Sequence, residues 1–313
     1  MHRLKYASNP YTMTEESNVM HGYMGNIFSV SDDPLSVMAD KMGILLFLRS
    51  EVRPAKNVYG LAVSGKSYEM KEEMGPYPDS FQKLGLISGI GSVVTESGKK
   101  VPSSCKAILV NENLCDPLMV DVKNQVMHGE DPIQSLASAG YLSSEIAKDA
   151  AQNVYRSDQG QIVLDAKKGL FEVKTELSEG CSGQAGFEWN GHVSKVSNGN
   201  GYASIMTTSM DGKPLEVSTH LLIFYLTDVL ADGATFKNME RTIYLSHGKL
   251  PHLVRTDQAE ITLQNGSMKE IQVWAVDLSG KKVASVELKK EGSRCRFLME
   301  SDRACVYEVV RQP

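Results

Sequence analysis

From Tyr155 to the end of the sequence, apolar and polar residues alternate at period two in one short segment after another, and this pattern constrains the chain more than any other feature. Such alternation sends one set of side chains to each face of a strand, so each segment calls for a sheet packed on one side. The candidate strands are QIVLDA, LFEVKTE, AGFEWN, YASIMTTS, HLLIFYLTDV, RTIYLS, AEITLQ, IQVWAVD, KVASVEL, CRFLME and VYEVV. Asp211-Gly212, Asn265-Gly266 and Ser279-Gly280 stand between them, each supplying a residue that tolerates positive φ. About eleven strands spaced near a dozen residues apart predict an antiparallel β-sandwich over residues 156–313. The clearest hairpin is IQVWAVDLSGKKVASVEL, with Val273 and Ala275 on one face and Trp274 and Val276 on the other.

Residues 1–155 read differently. Asp33 and Pro34 form a cap-plus-proline helix start, and Arg53 with Pro54 forms a stop, predicting a helix over 34–52. Its first half is amphipathic through Leu35, Met38 and Met42, whereas Gly43 to Leu48 (GILLFL) is apolar on every side. That predicts a segment buried all round, covered mostly by the α/β half because the exterior of the sandwich is polar by alternation. NVYGLAV reads as a strand, and a short helix runs from near Pro78 to about Leu86. Gly89 and Gly91 read as a turn that hands over to a strand at 92–95, and CKAILVNEN is a further strand. Asp131-Pro132 repeats the helix-start device before a helical run to Tyr155. The fold class expected is α+β and multidomain, with a mixed α/β region over 1–155 followed by the antiparallel sandwich over 156–313.

Charge and composition exclude several classes. Thirty-three basic residues against 38 acidic ones give a net charge of −5, with no long Lys/Arg block, which disfavours a nucleic-acid partner or an anionic membrane surface. The longest apolar stretch is six residues, far short of the roughly 20 that span a bilayer, and no signal-peptide apolar region opens the sequence. A soluble chain with no membrane partner is expected. The five cysteines include no C-x-x-C pair and are odd in number, which reads as free thiols. His247 and His252 are the closest histidines, but their spacing across Gly248 and Pro251 suits a loop between strands better than a metal site. No metal and no cofactor are expected.

Motifs that carry chemistry are incomplete. Gly65-Lys66-Ser67 lacks the first glycine of a phosphate loop, and Gly89-Ile90-Gly91 leads into a strand where dinucleotide binding needs a helix. The stretch GCSG at 180–183 misses the nucleophile-elbow spacing by one residue and reads as glycines in a β-loop. Glu112 and Glu188 are individual acids with no convergent partner legible in the sequence. Pyranose faces stack on aromatic rings, and the β half carries Trp189, Tyr202, Tyr225, Tyr244 and Trp274. Trp274 alternates within a hairpin and suits core packing, whereas Trp189 beside Asn190-Gly191 sits at a turn and is the carbohydrate-contact candidate.

Four blocks also carry a resemblance: NIFSVSDDPLSVMADKMGILLFLRSEVRPAKNVYGLAV, VYRSDQGQIVLDAKKGLFEVKTE, ASIMTTSMDGKPLE and VWAVDLSGKKVASVEL. Together they resemble the C-terminal region of large bacterial multidomain proteins related to clan A glycoside hydrolases, in which a (β/α)8 barrel ends in an Asp-Pro helix and a β-sandwich follows. The resemblance implies that Leu4 to Asn9 is a final barrel strand, with Tyr6 near the end where substrate groups bind. A barrel takes about 250 residues, so the family's catalytic carboxylates would lie in strands that have no counterpart here, and no catalytic residue is carried over. The implied function is a non-catalytic C-terminal portion of a carbohydrate-active protein, acting as a structural or carbohydrate-contacting β-module. The implied partners are a polysaccharide or oligosaccharide, an upstream catalytic domain and, as an open alternative, a second copy of the chain. Two other readings stand beside it: an independent glycoside hydrolase with a site at the domain junction, and a protein-interaction module with no carbohydrate role.

Overall fold

The structure is a computed structural model that describes residues 34–63, 79–94, 105–111, 124–128, 131–238, 243–246, 248–264 and 270–312. They form two compact units, one of Val52–Lys168 and one that joins helix α1 (Pro34–Leu48) and the residues through Glu51 to the chain from Gly169 onward. Tyr6, Gly65-Lys66-Ser67, Glu112, His247 and the Asn265-Gly266 turn lie outside the described residues.

The first unit is built on a parallel sheet of β1 (Val58–Val63), β2 (Gly89–Val94), β3 (Ala107–Asn111) and β4 (Gln125–His128), in the order β2-β1-β3-β4. Parallel strands need apolar side chains on both faces. Tyr59, Leu61, Ala107 and Leu109 pack on one face, and Ile108, Val110 and Val93 are buried on the other. The first face is covered by α2 (Asp79–Leu84), α3 (Pro132–Ser138) and α4 (Ser144–Ala151), which contribute Phe81, Leu84, Ile133, Leu136 and Ala147. Asp131 caps α3 as the sequence predicts, accepting from the amides of Ile133 and Gln134. The run beyond it is two helices, because α3 ends at the left-handed Gly140 and Ser143 caps α4, and it stops at Ala151, short of Tyr155, which lies in a strand. A hairpin of β5 (Val154–Arg156) and β6 (Ile162–Asp165) completes the unit. The Gly89–Gly91 stretch is part of strand β2 and not the expected turn: Gly89 opens the parallel pairing opposite Val58.

The second unit is an antiparallel sandwich. One sheet holds, in order, β19 (Lys282–Ser285), β18 (Glu270–Val276), β22 (Val306–Gln312), β12 (His220–Leu226), β11 (Ala203–Ser209), β8 (Ser178–Gly183) and β7 (Leu170–Lys174). The other holds β20 (Lys289–Glu291), β21 (Arg294–Glu300), β17 (Gln258–Gln264), β10 (Ser194–Asn198) and β9 (Glu188–Asn190). Cys181, Ile205, Ile223, Tyr225, Val273, Tyr307 and Val309 from the first sheet meet Trp189, Val196, Ile261, Leu263, Phe297 and Met299 from the second in one core. A two-stranded ribbon extends from the first sheet as β13 (Val229–Asp232), β14 (Thr235–Phe236), β15 (Tyr244–Ser246) and β16 (Lys249–Val254). His252 therefore lies in a strand, not in the loop expected from its spacing to His247.

Strand β8 is, with β10, β16 and β20, one of the strands that alternation does not announce. The stretch GCSG, which reads as glycines in a β-loop, belongs instead to the strand SEGCSG, which runs between β7 and β11. A Cβ at Gly180 would stand 2.5 Å from the Ile205 carbonyl oxygen, so the absence of a side chain is what allows β11 to approach.

Helix α1 also departs from expectation. Its amphipathic first half is the buried part, with Leu35 and Met38 packed on Met206, Phe224, Leu226, Val229 and Val306 of the sandwich's outer face. The outer face is apolar at these positions, and it covers the helix in the role expected of the α/β half. In GILLFL, Ile44 is 39% and Leu48 72% exposed, so this segment is not buried all round. The helix stops before Pro54 through a Schellman motif: Ser50 adopts φ 52°, its amide bonds the Phe47 carbonyl, and the Glu51 amide bonds the Leu46 carbonyl.

Candidate functional site

Ionisable groups are drawn into the sandwich at several points, and each is built into the fold. Glu179 on β8 is fully buried, and its carboxylate accepts from the amides of His192, Val193 and Ser194 and from the Ser194 hydroxyl. A Cβ at Gly191 would overlap this carboxylate, which explains the glycine in the 190–194 turn. Just after α1, Arg49 and Glu51 pair at 2.5 Å. Glu51 accepts from Thr175 and Ser178, while Arg49 donates to Thr208 and the Ser209 carbonyl, so the pair fastens the helix end to β8 and β11.

Asp211 accepts from the Ser209, Ser218 and Thr219 hydroxyls and from the amides of Lys213 and Thr219. Burial works to raise its carboxyl pKa, but the Thr219 amide and the three hydroxyls outweigh burial and hold the group well below the usual carboxylate range. In the first unit Asp158 accepts from the amides of Lys56 and Asn57, the Asn57 side chain and the Ser88 hydroxyl, at the amino ends of β1 and β2. Strand order reverses between β1 and β3, where open α/β sheets place ligands beyond the carboxyl ends, so Asp158 stands at the opposite end from that point.

Trp189 does not occupy the exposed turn expected of it. It lies in β9, 3% exposed, as part of the core between the sheets. Its indole N–H donates to Glu172 at 2.9 Å, and Lys174 Nζ lies 5.3 Å from the ring centroid. With its ring inside the protein, Trp189 cannot stack on a sugar. Glu188 beside it points outward and is exposed. Trp274 has the reverse fate: Val273 and Ala275 enter the core, while Trp274 stands half-buried on the other face with Lys282 Nζ 5.3 Å from its ring. Beside it, Glu308 accepts from Lys282 at 2.9 Å and lies 2.8 Å from His220 Nε2. Burial acts to raise the Glu308 pKa, and the hydrogen bonds and charges of Lys282 and His220 bring it below the ordinary value.

The outer face carries a second aromatic cluster. Register pairs Phe171 with Ser182, Ser182 with Ser204 and Ser204 with Leu226, so these four residues form one row on one face. Tyr202 precedes β11, and its hydroxyl lies 2.5 Å from Ser182 Oγ and 3.2 Å from Ser204 Oγ, with the two serines 2.8 Å apart. Phe171 and Tyr202 are each 41% exposed. The Tyr202 backbone is fixed by Arg255, which donates to its carbonyl at 2.5 Å. The pattern YASIM already sets Tyr202 and Ser204 against Ala203 and Ile205, but the rest of the cluster depends on β8, which the sequence conceals.

Among the described residues no group of three or more His, Cys, Asp or Glu side chains could hold a metal ion. No helix among them is long and apolar enough to cross a membrane. Comparison with known proteins finds no family model and no curated protein that matches this chain.

Proposed function

We propose that the chain is a non-catalytic portion of a carbohydrate-active protein, in which the antiparallel unit acts as a structural and carbohydrate-contacting module and a catalytic partner supplies the chemistry. The observation that supports this reading is the engagement of the carboxylates drawn into the fold. Glu51, Glu179, Asp158 and Asp211 each accept three or more hydrogen bonds from their own chain. Glycoside hydrolysis needs two carboxyl groups across an open cleft, one able to donate a proton to the leaving oxygen and one free to attack or to activate water. A carboxylate saturated by hydrogen bonds from the hydroxyls, amides and guanidinium of its own chain does neither. The half-exposed rings on the outer face give such a module a surface suited to sugar. The purified chain should release no nitrophenol from aryl glycosides and should be retained on a polysaccharide. Turnover that disappears when a single Asp or Glu is changed would overturn the reading.

A further inference from the structure

We infer that the row Phe171–Ser182–Ser204, together with Tyr202, is a binding platform for a neutral polysaccharide chain, an inference that rests on the carbohydrate reading above. Two features of the cluster select this ligand class. The first is shape. Phe171 on β7 and Ser204 on β11 are two strand spacings apart, about 10 Å, the scale of two consecutive pyranose rings. Two half-exposed aromatic rings flank the hydroxyls over that span. The C–H edges of a pyranose face are weakly positive and are drawn to the negative face of an aromatic ring, so a flat run of sugars fits the row better than a compact ligand.

The second feature is hydrogen-bonding capacity. Each hydroxyl has one donor and two acceptor lone pairs. The three pairwise contacts among Tyr202, Ser182 and Ser204 close a triangle, and with the hydroxyls arranged head to tail it takes up all three donors. One acceptor lone pair per oxygen remains for a ligand. Sugar hydroxyls can donate to these oxygens, whereas carboxylate or sulfate groups, which only accept, find no free donor in the triangle. Arg255, which donates to the Tyr202 carbonyl, lies 3.8 Å from Asp228, so it does not reverse this preference.

The test is affinity electrophoresis of the full chain in gels containing a soluble neutral β-glucan or polygalacturonate, each at matched concentration. The neutral glucan should retard the protein and polygalacturonate should not. Tyr202→Ala and Phe171→Ala should each weaken retardation about tenfold, the scale of one lost aromatic stack. Tyr202→Phe keeps the ring and should weaken it only about two- to threefold, the scale of one neutral hydrogen bond. Leu298→Ala changes an exposed residue of the other sheet and should have no effect. Glucan binding that persists in both aromatic-to-alanine variants would remove the platform while leaving the carbohydrate reading intact. Failure of the unaltered chain to bind any glycan would remove both. Equal retardation by polygalacturonate would overturn the neutral ligand class.

Discussion

The two units meet the requirements of buried backbone in different ways. In the parallel sheet, β1 and β3 bury almost nothing but apolar side chains, and their peptide groups bond within the sheet. The main polar device is Asp158, placed at the edge where the chain enters β1 and β2. In the sandwich, ions themselves are buried. Glu179 meets three amides of one turn, and Arg311, 1% exposed, donates to the carbonyls of Leu215, Ser218 and Gln264. Desolvation lowers the Arg311 pKa below its ordinary value. The contrast follows from the connections. A repeating strand-helix unit satisfies its own peptide groups, while the sandwich must bury irregular turns whose amides and carbonyls have no ladder to join, and charged side chains fill that place.

Replacing the central ion of such a turn should therefore have the largest effect. Glu179→Ala should cost about 3–5 kcal/mol, since it strands the buried amides of Val193 and Ser194 and the part-buried amide of His192, and urea denaturation monitored in the second unit would read it. The matching change in the first unit, Asp158→Ala, should cost about 1–2 kcal/mol because its donors are partly solvated. Equal losses would break the comparison.

Helix α1 allows a finer test within one element. Met38→Ala removes a buried side chain from the outer-face core and should cost about 2–5 kcal/mol, whereas Leu48→Ala should fall within about 0.5 kcal/mol of the unaltered chain. A large loss at Leu48, measured by the same denaturation, would restore the all-round burial expected for GILLFL.

Two strand glycines sharpen the contrast further. Gly180→Ala meets a backbone carbonyl that cannot yield and should cost about 1–3 kcal/mol. At Gly60 the nearest atom, 2.6 Å away, is the Val93 Cγ2 methyl, which can move, so Gly60→Ala should cost less. Thermal melts of the two variants would rank them.

The smallest effect expected is acid sensitivity. Because Asp211 is held below the usual carboxylate range when folded, its contribution is fully present above the unfolded value of about 3.9 and is lost as pH falls towards the folded value. Asp211→Asn should flatten the decline in stability of the second unit below about pH 4. An unchanged acid slope would show that Asp211 does not contribute to it.

The platform was partly legible. Alternation in YASIM marks the face that Tyr202 and Ser204 share, and LFEVK marks Phe171 as a strand residue. Ser182 was not legible, because SEGCSG lacks the apolar alternation of a strand and its Gly180 serves close approach to β11. Trp189 was misplaced for a related reason: Asn190-Gly191 signals a turn, but which face of a three-residue strand turns inward is set by the sheet it joins.

What the sequence determined by itself was local. Period-two alternation marked most strands of the sandwich, Asp131-Pro132 opened a helix where predicted, and Gly212 and Gly280 took the positive φ their turns require. These features depend on residues within a few positions of one another, so they survive without knowledge of the rest of the chain. The tertiary structure alone decided that α1 lies on the sandwich, that β8 completes its first sheet, and that Tyr202 meets Ser182. Each of those contacts joins residues far apart in sequence, and its free energy exists only once packing has brought them together.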